Sequence, residues 1–274
     1  MLRVLQLQTK VFKEKEDTFY YIEKYMGKLK SHRPDLVTLP EMFNCPYENK
    51  AFSLYAEKEN GKTYKFCQDL ARKYHIYLSA GSIPEIDEKN CLFNTAYVFD
   101  QQGMCIAKHR KMHLFDIDVQ GGQQFKESDT LTAGNKITVF DTLWGKMGLC
   151  VCYDLRFPEI IRIMVMQGVK VIIVPAAFNM TTGPLHWELL FRSRAVDNQV
   201  FTIGTAPAQD LSAIYHSYGH SIVVSPWGNV LNQLSINEGF ICTDIDLTEV
   251  DKVREQLPLL KHRRVDIYKL QQNN

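Results

Sequence analysis

The sequence predicts an α/β protein with a pair of mixed sheets covered by helices, because its strands are connected in two different ways. In the first half, residues 76–83 and 92–99 are apolar, strand-like runs separated by a short polar segment. In the second half, the strands at residues 146–152 and 169–174 flank a helical segment at 158–167. Strands joined by a turn pair antiparallel, whereas strands joined through a helix run parallel. The combination favours mixed sheets over a purely parallel Rossmann sheet.

Local signals define the individual elements. The helix over residues 158–167 has a proline in its first turn and Gly168 just past its end, the usual asymmetry of helix termini. Residues 169–174 are nearly all β-branched, so we expect this strand to be buried on both faces. Lys89-Asn90 lies in the turn that precedes the strand at 92–99. The remaining predicted strands cover residues 1–7, 35–39, 105–107, 137–140, 200–205, 221–225 and 240–245, and the remaining predicted helices cover residues 61–74, 185–198 and the first part of 251–268.

Composition limits the number of domains and the classes of partner. The chain has 274 residues, 45% of them hydrophobic, and no linker-like or repeated segment, so we expect one domain over residues 1–274. A formal net charge of +1 without a Lys/Arg block argues against a nucleic-acid or membrane surface. The seven cysteines are scattered, and residues 1–7 resemble a strand more than a signal peptide. We therefore expect free thiols and a cytoplasmic location.

Cys152 is the strongest candidate nucleophile. A predicted apolar strand ends on it, polar residues follow in Cys152-Tyr153-Asp154-Leu155-Arg156, and a helix begins at Pro158. A thiol in such a position needs a base or a cation to activate it. The alternative is that Cys152 is a small buried apolar residue, which is what we expect of Cys150 inside the strand.

Two glutamates are candidate acids or bases. Glu41 directly follows the predicted strand 35–39, and burial there would raise its pKa toward the range of a general base. The alternative for Glu41 is a solvated loop carboxylate. Glu127, in Phe125-Lys126-Glu127-Ser128, is either a second buried acid or part of a surface turn.

A basic segment, Lys108-His109-Arg110-Lys111, follows the predicted strand 105–107 and is expected to form a loop. Either one of its cations points inward and stabilises an oxyanion, or the whole loop is solvated. His109 and His113 are four residues apart, which suits two metal ligands on one helix. Further ligands are missing and the flanking sequence is not helical in pattern, so we expect no metal site.

Together, these candidates have the order and sequence context of a known family. The motifs are Leu39-Pro40-Glu41, His109-Arg110-Lys111-Met112-His113-Leu114 and Cys152-Tyr153-Asp154-Leu155-Arg156-Phe157-Pro158-Glu159. With them the chain resembles the nitrilase (carbon–nitrogen hydrolase) superfamily from Leu5 to about Tyr268. The resemblance implies a catalytic triad of Glu41, Lys111 and Cys152, with Glu127 as an additional active-site glutamate. It also implies a four-layer αββα sandwich and a homodimer.

Four further segments are similar to one branch of the superfamily, the omega-amidases. They are Asn44-Cys45-Pro46-Tyr47, Leu114-Phe115-Asp116-Ile117-Asp118, the run 176–188 and the run 192–199. The similarity implies hydrolysis of the terminal amide of 2-oxoglutaramate and 2-oxosuccinamate to the 2-oxo dicarboxylate and ammonia. The alternatives are another amide hydrolase of the superfamily, such as a carbamoylase or an aliphatic amidase, and a catalytically silent interaction protein.

The implied mechanism uses a thiol, a base and a cation, and no metal or organic cofactor. Glu41 takes the proton of Cys152 as the thiol attacks the amide carbon. Lys111 and the backbone N–H of Tyr153 bind the oxyanion, and Glu127 holds Lys111 and the amide nitrogen in place. Water then hydrolyses the thioester.

The far end of such a substrate carries a carboxylate, which needs a cation or several N–H donors. Arg156 is one candidate because arginine binds carboxylates with two parallel hydrogen bonds. Its alternative is a structural ion pair with Glu159. Thr181 and Thr182 are candidate hydroxyl donors at the pocket mouth, and residues 119–124 are expected to modify the shape of the pocket.

Overall fold

The structure is a computed structural model that describes residues 1–273, and its strands and helices follow the mixed pattern expected from the sequence. In chain order, the strands are β1 (Leu2–Gln8), β2 (Leu36–Thr38), β3 (Tyr77–Ser79), β4 (Ile83–Ile86), β5 (Leu92–Phe99), β6 (Cys105–Arg110), β7 (Asp116–Asp118), β8 (Gln124–Lys126), β9 (Thr138–Thr142), β10 (Gly145–Leu149), β11 (Val171–Pro175), β12 (Phe201–Thr205), β13 (Ile222–Val224), β14 (Val230–Gln233) and β15 (Gly239–Ile245). The α-helices are α1 (Lys15–Leu29), α2 (Asn49–Tyr55), α3 (Lys62–Tyr74), α4 (Pro158–Met166), α5 (Gly183–Asn198) and α6 (Thr248–Gln256).

Two large sheets contain most of the strands. The first has the order β15-β1-β2-β3-β5-β4, with β6 also paired to β5, and the second has the order β14-β13-β12-β11-β10-β9. In the first sheet β1, β2 and β3 are parallel, and in the second β10, β11 and β12 are parallel; their outer neighbours are antiparallel. The prediction of two mixed sheets is therefore confirmed.

The residues of β1 and β12 show how the layers stack. In β1, Leu2 and Val4 join the apolar core shared with the second sheet, whereas Leu5 and Leu7 pack with buried residues of α1 and α3. In β12, Gly204 faces a ring of α5, because a Cβ at this position would lie 2.2 Å from it. Helices thus cover the outer face of each sheet, and the expected four-layer αββα sandwich is confirmed.

The predicted strand at residues 76–83 is in fact two strands, β3 and β4, which pair with successive parts of β5 and are separated by an irregular segment at 80–82. Gly81 in this segment has φ +57°, and a Cβ there would lie 2.0 Å from the carbonyl oxygen of Pro40. Only glycine tolerates both this conformation and this approach. The same segment places the Ser82 hydroxyl 3.1 Å from the backbone nitrogen of Met42 and so supports the residues next to Glu41.

Other boundaries also differ from the prediction. The basic segment is not a loop, because β6 continues through Arg110 as a partner of β5. β10 ends at Leu149 rather than at Cys152, because Val151 donates its N–H to the Asp154 carboxylate at 3.0 Å instead of to a neighbouring strand. The helix expected after residue 251 is α6, which starts earlier and ends at Gln256. In the described part of the chain, α1, α2, β7, β8 and β14 were not predicted.

Two further findings concern helices and cysteines. Across residues 1–273, the structure contains no helix that combines the length and the apolar character needed to cross a membrane. All seven cysteines are free.

Candidate active site

Glu41 lies directly after β2 and is buried, so the alternative of a solvated loop carboxylate is wrong. Its Oε1 accepts hydrogen bonds from Asn94 Nδ2 at 2.8 Å and Lys111 Nζ at 3.1 Å, and lies 3.2 Å from the Tyr47 hydroxyl. Its Oε2 accepts one hydrogen bond, from the backbone N–H of Ala177 at 2.8 Å. Oε2 is therefore the oxygen with the greater free capacity to receive a proton.

Lys111 follows β6 and its side chain is fully buried, which excludes a solvated basic loop at this residue. Its Nζ lies 2.9 Å from Glu127 Oε1, 3.1 Å from Glu41 Oε1 and 3.3 Å from the Tyr47 hydroxyl. Burial acts to lower the pKa of Lys111, but the two carboxylates outweigh it and raise the pKa above its usual value. The ammonium form is thus maintained in a dry environment.

Glu127 is a buried acid and not part of a solvated turn. Its Oε1 accepts hydrogen bonds from the Tyr47 hydroxyl at 2.6 Å and from Lys111, while its Oε2 accepts the backbone N–H of Phe115 at 2.7 Å. Two carboxylates therefore share one ammonium group, and the phenol of Tyr47 completes the cluster. We call Glu41, Tyr47, Lys111 and Glu127 the carboxylate–lysine cluster.

Cys152 begins a 3-10 turn, Cys152–Arg156, that connects β10 to α4. It is 4% exposed and has φ +47°, a conformation that is rare for residues other than glycine and that concentrates at functional sites. Burial raises the pKa of the thiol, Glu41 raises it further, and Lys111 and the Ala177 amide act in the opposite direction. The resting thiol is therefore neutral and needs a base, and Glu41 is the carboxylate that acts on it.

Asp154 connects the turn at Cys152 to the segment that carries Lys111. Its Oδ2 lies 3.0 Å from His109 Nε2, and its Oδ1 lies 2.7 Å from His113 Nδ1 and accepts the backbone N–H of His113 at 2.9 Å. Both histidines are thus engaged by a fully buried carboxylate, and neither is helical. This connecting role of Asp154 was not predicted from the sequence, in which the two histidines on either side of Lys111 were the available signal.

The other predicted site residues differ in how well they are placed to contact a substrate. Tyr153 is the second residue of the 3-10 turn, where the turn itself cannot satisfy a backbone N–H. Thr182 donates its hydroxyl to Asn179 Oδ1 at 3.1 Å just before α5, which leaves it less suited to a substrate contact. Thr181 lies at the edge of a groove together with Gly122.

Arg156 is half-buried and makes no ion pair with Glu159 or with any other carboxylate of residues 1–273. Its guanidinium carbon lies 4.9 Å from the centre of the Phe178 ring and 5.6 Å from that of Tyr153, and Nη1 lies 3.1 Å from His186 Nδ1. The alternative of a structural ion pair between Arg156 and Glu159 is therefore wrong. The guanidinium group lies beside two aromatic rings and remains free to form a pair of hydrogen bonds with a carboxylate.

Two openings give access to this region. A cavity of about 480 Å³ is lined by Glu41, Tyr47, Ala177 and Tyr215 among others. A neighbouring groove of about 710 Å³ shares Tyr47 and Tyr215 and is bordered by residues 122–125 and 179–181. The segment expected to modify the pocket thus borders the groove through residues 122–124. Within residues 1–273, no group of three His, Cys, Asp or Glu side chains could hold a metal ion.

An αββα sandwich with a buried cysteine beside a glutamate–lysine pair is typical of one class of hydrolases. The profile of the family described as "Carbon-nitrogen hydrolase" matches residues 1–255, and the chain belongs to this family.

Named relatives cover nearly the whole chain. The protein "Omega-amidase NIT2" of Mus musculus is 44% identical over 266 residues, which are 97% of this chain and 96% of the relative. "Omega-amidase NIT3" of Saccharomyces cerevisiae is 45% identical over 255 residues, 90% of this chain and 86% of the relative. The crystal structure of Saccharomyces cerevisiae Nit3, described as a member of branch 10 of the nitrilase superfamily, superimposes with a TM-score of 0.86 at 39% identity and covers 96% of both chains.

Proposed function

We propose that this protein is an omega-amidase, which hydrolyses the terminal amide of 2-oxoglutaramate and 2-oxosuccinamate and releases ammonia and the 2-oxo dicarboxylate. The observation that carries the proposal is the buried carboxylate–lysine cluster next to the Cys152 thiol. The family and its omega-amidase relatives support the class of substrate.

In the proposed reaction, Glu41 Oε2 takes the thiol proton while the sulfur of Cys152 bonds to the amide carbon. Lys111 and the backbone N–H of Tyr153 stabilise the negative charge that develops on the carbonyl oxygen. The C–N bond then breaks, and protonated Glu41 returns the proton to the leaving ammonia. Water, deprotonated by Glu41, attacks the thioester and regenerates the thiol. These steps use side chains and backbone of this chain alone; the absence of a cofactor stays a prediction.

The central test measures ammonia release from 2-oxoglutaramate, 2-oxosuccinamate, glutamine, an N-carbamoyl amino acid and a simple nitrile. We expect the two 2-oxo acid amides to be the best substrates, and preference for the carbamoyl compound or the nitrile would contradict the proposal. Cys152→Ala should form no thioester and release no ammonia above background. Cys150→Ala is the matched control, because Cys150 is a buried core residue two positions away.

For the substrate carboxylate, we propose Arg156. Its guanidinium carbon lies 5.6 Å from the ring centre of Tyr153, the residue that follows Cys152, and no carboxylate of the described residues forms an ion pair with it. Arg156→Lys keeps the charge but loses the planar pair of donors. We expect KM for 2-oxoglutaramate to rise with a smaller change in kcat; an unchanged KM would remove Arg156 from the carboxylate site.

We further propose that residues 1–274 act as one domain and that two copies form a homodimer. In support of one domain, β1 pairs along its whole length with β15, near the other end of the chain. In support of a dimer, α5 exposes Leu185, Leu189 and Val196, whose spacing places them on one helix face. Leu189→Glu should yield monomers in size-exclusion chromatography with light scattering, and Leu143→Glu, at an exposed turn residue outside α5, should not. The cytoplasmic location likewise stays a prediction.

A further inference from the structure

The phenol of Tyr47 occupies the middle of the carboxylate–lysine cluster. Its hydroxyl lies 2.6 Å from Glu127 Oε1, 3.2 Å from Glu41 Oε1 and 3.3 Å from Lys111 Nζ. Neighbouring aromatic rings hold it in place: the ring centre of Tyr215 lies 4.5 Å away, and those of Phe52 and Phe125 lie 5.4 and 5.6 Å away. The hydroxyl therefore has one position and three charged neighbours.

The charges of the cluster do not cancel. Two carboxylates face one ammonium group, and all three side chains are fully buried. A surplus negative charge without water must be stabilised by hydrogen-bond donors. Tyr47 is the neutral side-chain donor that contacts both carboxylates, and its single proton goes to the nearer one, Glu127.

The same hydroxyl also accepts from Lys111. The lysine has three N–H donors, and the three acceptors in the cluster occupy them all. An oxyanion can bind Lys111 only by replacing one of these acceptors. The contact of Lys111 with Tyr47 is the longest of the three, and Tyr47 is the only uncharged acceptor, so this contact is the one that is lost most easily.

We propose that Tyr47 is a positioning residue, which stabilises the ionised carboxylate pair by donating its proton to Glu127 and releases its Lys111 contact when an oxyanion forms. This inference rests on the proposed function for the identity of the reaction, but its effect on Cys152 exists without substrate. Loss of the donor leaves two carboxylates with less stabilisation, so the pair binds a proton at higher pH. The titratable groups that face the hydroxyl are Glu41, Glu127, Lys111, Cys152 and Tyr215.

The test is the pH dependence of Cys152 alkylation by iodoacetamide, compared between wild type and Tyr47→Phe. Alkylation requires Glu41 to accept the thiol proton, so its rate falls as the carboxylate pair becomes protonated. We expect the acid limb of the profile to move up by about one pH unit, the size expected for one hydrogen bond to a charged group. The rate at the alkaline plateau should be largely retained.

Tyr97→Phe is the matched control. Tyr97 is also buried, and its hydroxyl donates to Glu85 Oε2 at 3.0 Å in a cluster outside the site. The acid limb of the alkylation profile of Tyr97→Phe should coincide with that of the wild type. Folding of both variants is checked by circular dichroism and thermal unfolding.

If Tyr47→Phe does not fold, incorporation of a fluorinated tyrosine at position 47 provides a second test. The more acidic phenol is a stronger donor, so the acid limb should move to lower pH. A folded Tyr47→Phe with an unshifted limb, an equal shift in Tyr97→Phe, or a uniform loss of rate at every pH would overturn the inference. If wild type hydrolyses neither 2-oxo acid amide, the proposed function fails, whereas the alkylation profile still decides the role of Tyr47.

Discussion

The four basic residues at positions 108–111 divide between two very different environments. Lys108 Nζ and Arg110 Nη2 each lie 2.7 Å from Glu85 Oε1, near the surface of the first sheet. His109 and Lys111 point to the opposite side, where they contact the buried carboxylates of the candidate active site. The alternation of side chains along β6 and its extension separates the two pairs.

The two clusters have similar components but differ in their access to water. The side chains of Lys108 and Arg110 are both 28% exposed, whereas that of Lys111 is fully buried. An exposed cation that loses its partner can turn to water, but a buried one cannot. The outer cluster therefore stabilises the fold modestly, and the inner one maintains charges that would be costly to leave unpaired and are available for chemistry.

The largest expected difference between the clusters is in catalysis. Lys111→Ala removes a donor to the oxyanion and should lower kcat for 2-oxoglutaramate on the order of 100- to 1,000-fold. Lys108→Ala, three positions away on the other face, should leave kcat unchanged. Steady-state ammonia release measures both, and similar kcat values for the two variants would contradict the separation of roles.

A second difference concerns stability and its dependence on pH. Burial acts to raise the pKa of Asp154, but hydrogen bonds from His109 and His113 outweigh it and hold the pKa well below its usual range. A carboxylate with a lowered folded-state pKa contributes stability above its unfolded-state value of about 3.9 and loses that contribution as the pH falls below it.

Asp154→Asn should therefore cost about 3 kcal/mol in the free energy of unfolding at neutral pH, as for loss of one partner of a buried charged network. The difference from wild type should shrink as the pH falls below about 4. Urea unfolding at a series of pH values measures both effects. A constant difference between wild type and variant down to acidic pH would argue against the proposed linkage.

The smallest expected effect is at Glu85. Glu85→Gln keeps an acceptor for the Tyr97 hydroxyl, and the two cations can be hydrated, so the loss should be about 1 kcal/mol. Hydrolysis of 2-oxoglutaramate should not change. A loss at Glu85 as large as that at Asp154 would show that exposure does not distinguish the two clusters.

Much of the fold was predictable because its signals are local. Each of these signals depends on neighbouring residues: the β-branched run that forms most of β11, the proline and glycine at the ends of α4, and the polar turn before β5. α1 was not predicted, although its buried residues Phe19, Ile22, Met26 and Leu29 recur at helical spacing and so provided a local signal. The prediction of one continuous strand over 76–83 was wrong because the conformation of Gly81 depends on contact with Pro40, a residue far away in sequence.

The candidate site was predictable to a smaller extent. The motifs indicated Glu41, Lys111, Cys152 and Glu127, and the structure brings these side chains into one buried region, where their catalytic roles stay a prediction. If the basic segment had been predicted as a strand, the alternation of its side chains would have placed Lys111 inward. The partners of Asp154 lie 41 and 45 residues away in sequence, so the residues around Asp154 could not identify them, and the two histidines beside Lys111 were the available signal.

The sequence by itself determined the residue types at each strand end, the mixed connectivity of the sheets and the family to which the motifs point, because these depend on periodicity and on short runs of neighbours. Only the tertiary structure decided which side chains meet: Tyr47 between two carboxylates, Arg156 beside aromatic rings rather than beside Glu159, and the basic segment divided between a wet and a dry cluster. The physical reason is that burial and long-range contact arise when the two sheets pack, and burial in turn sets the pKa of each group and the cost of leaving it unpaired.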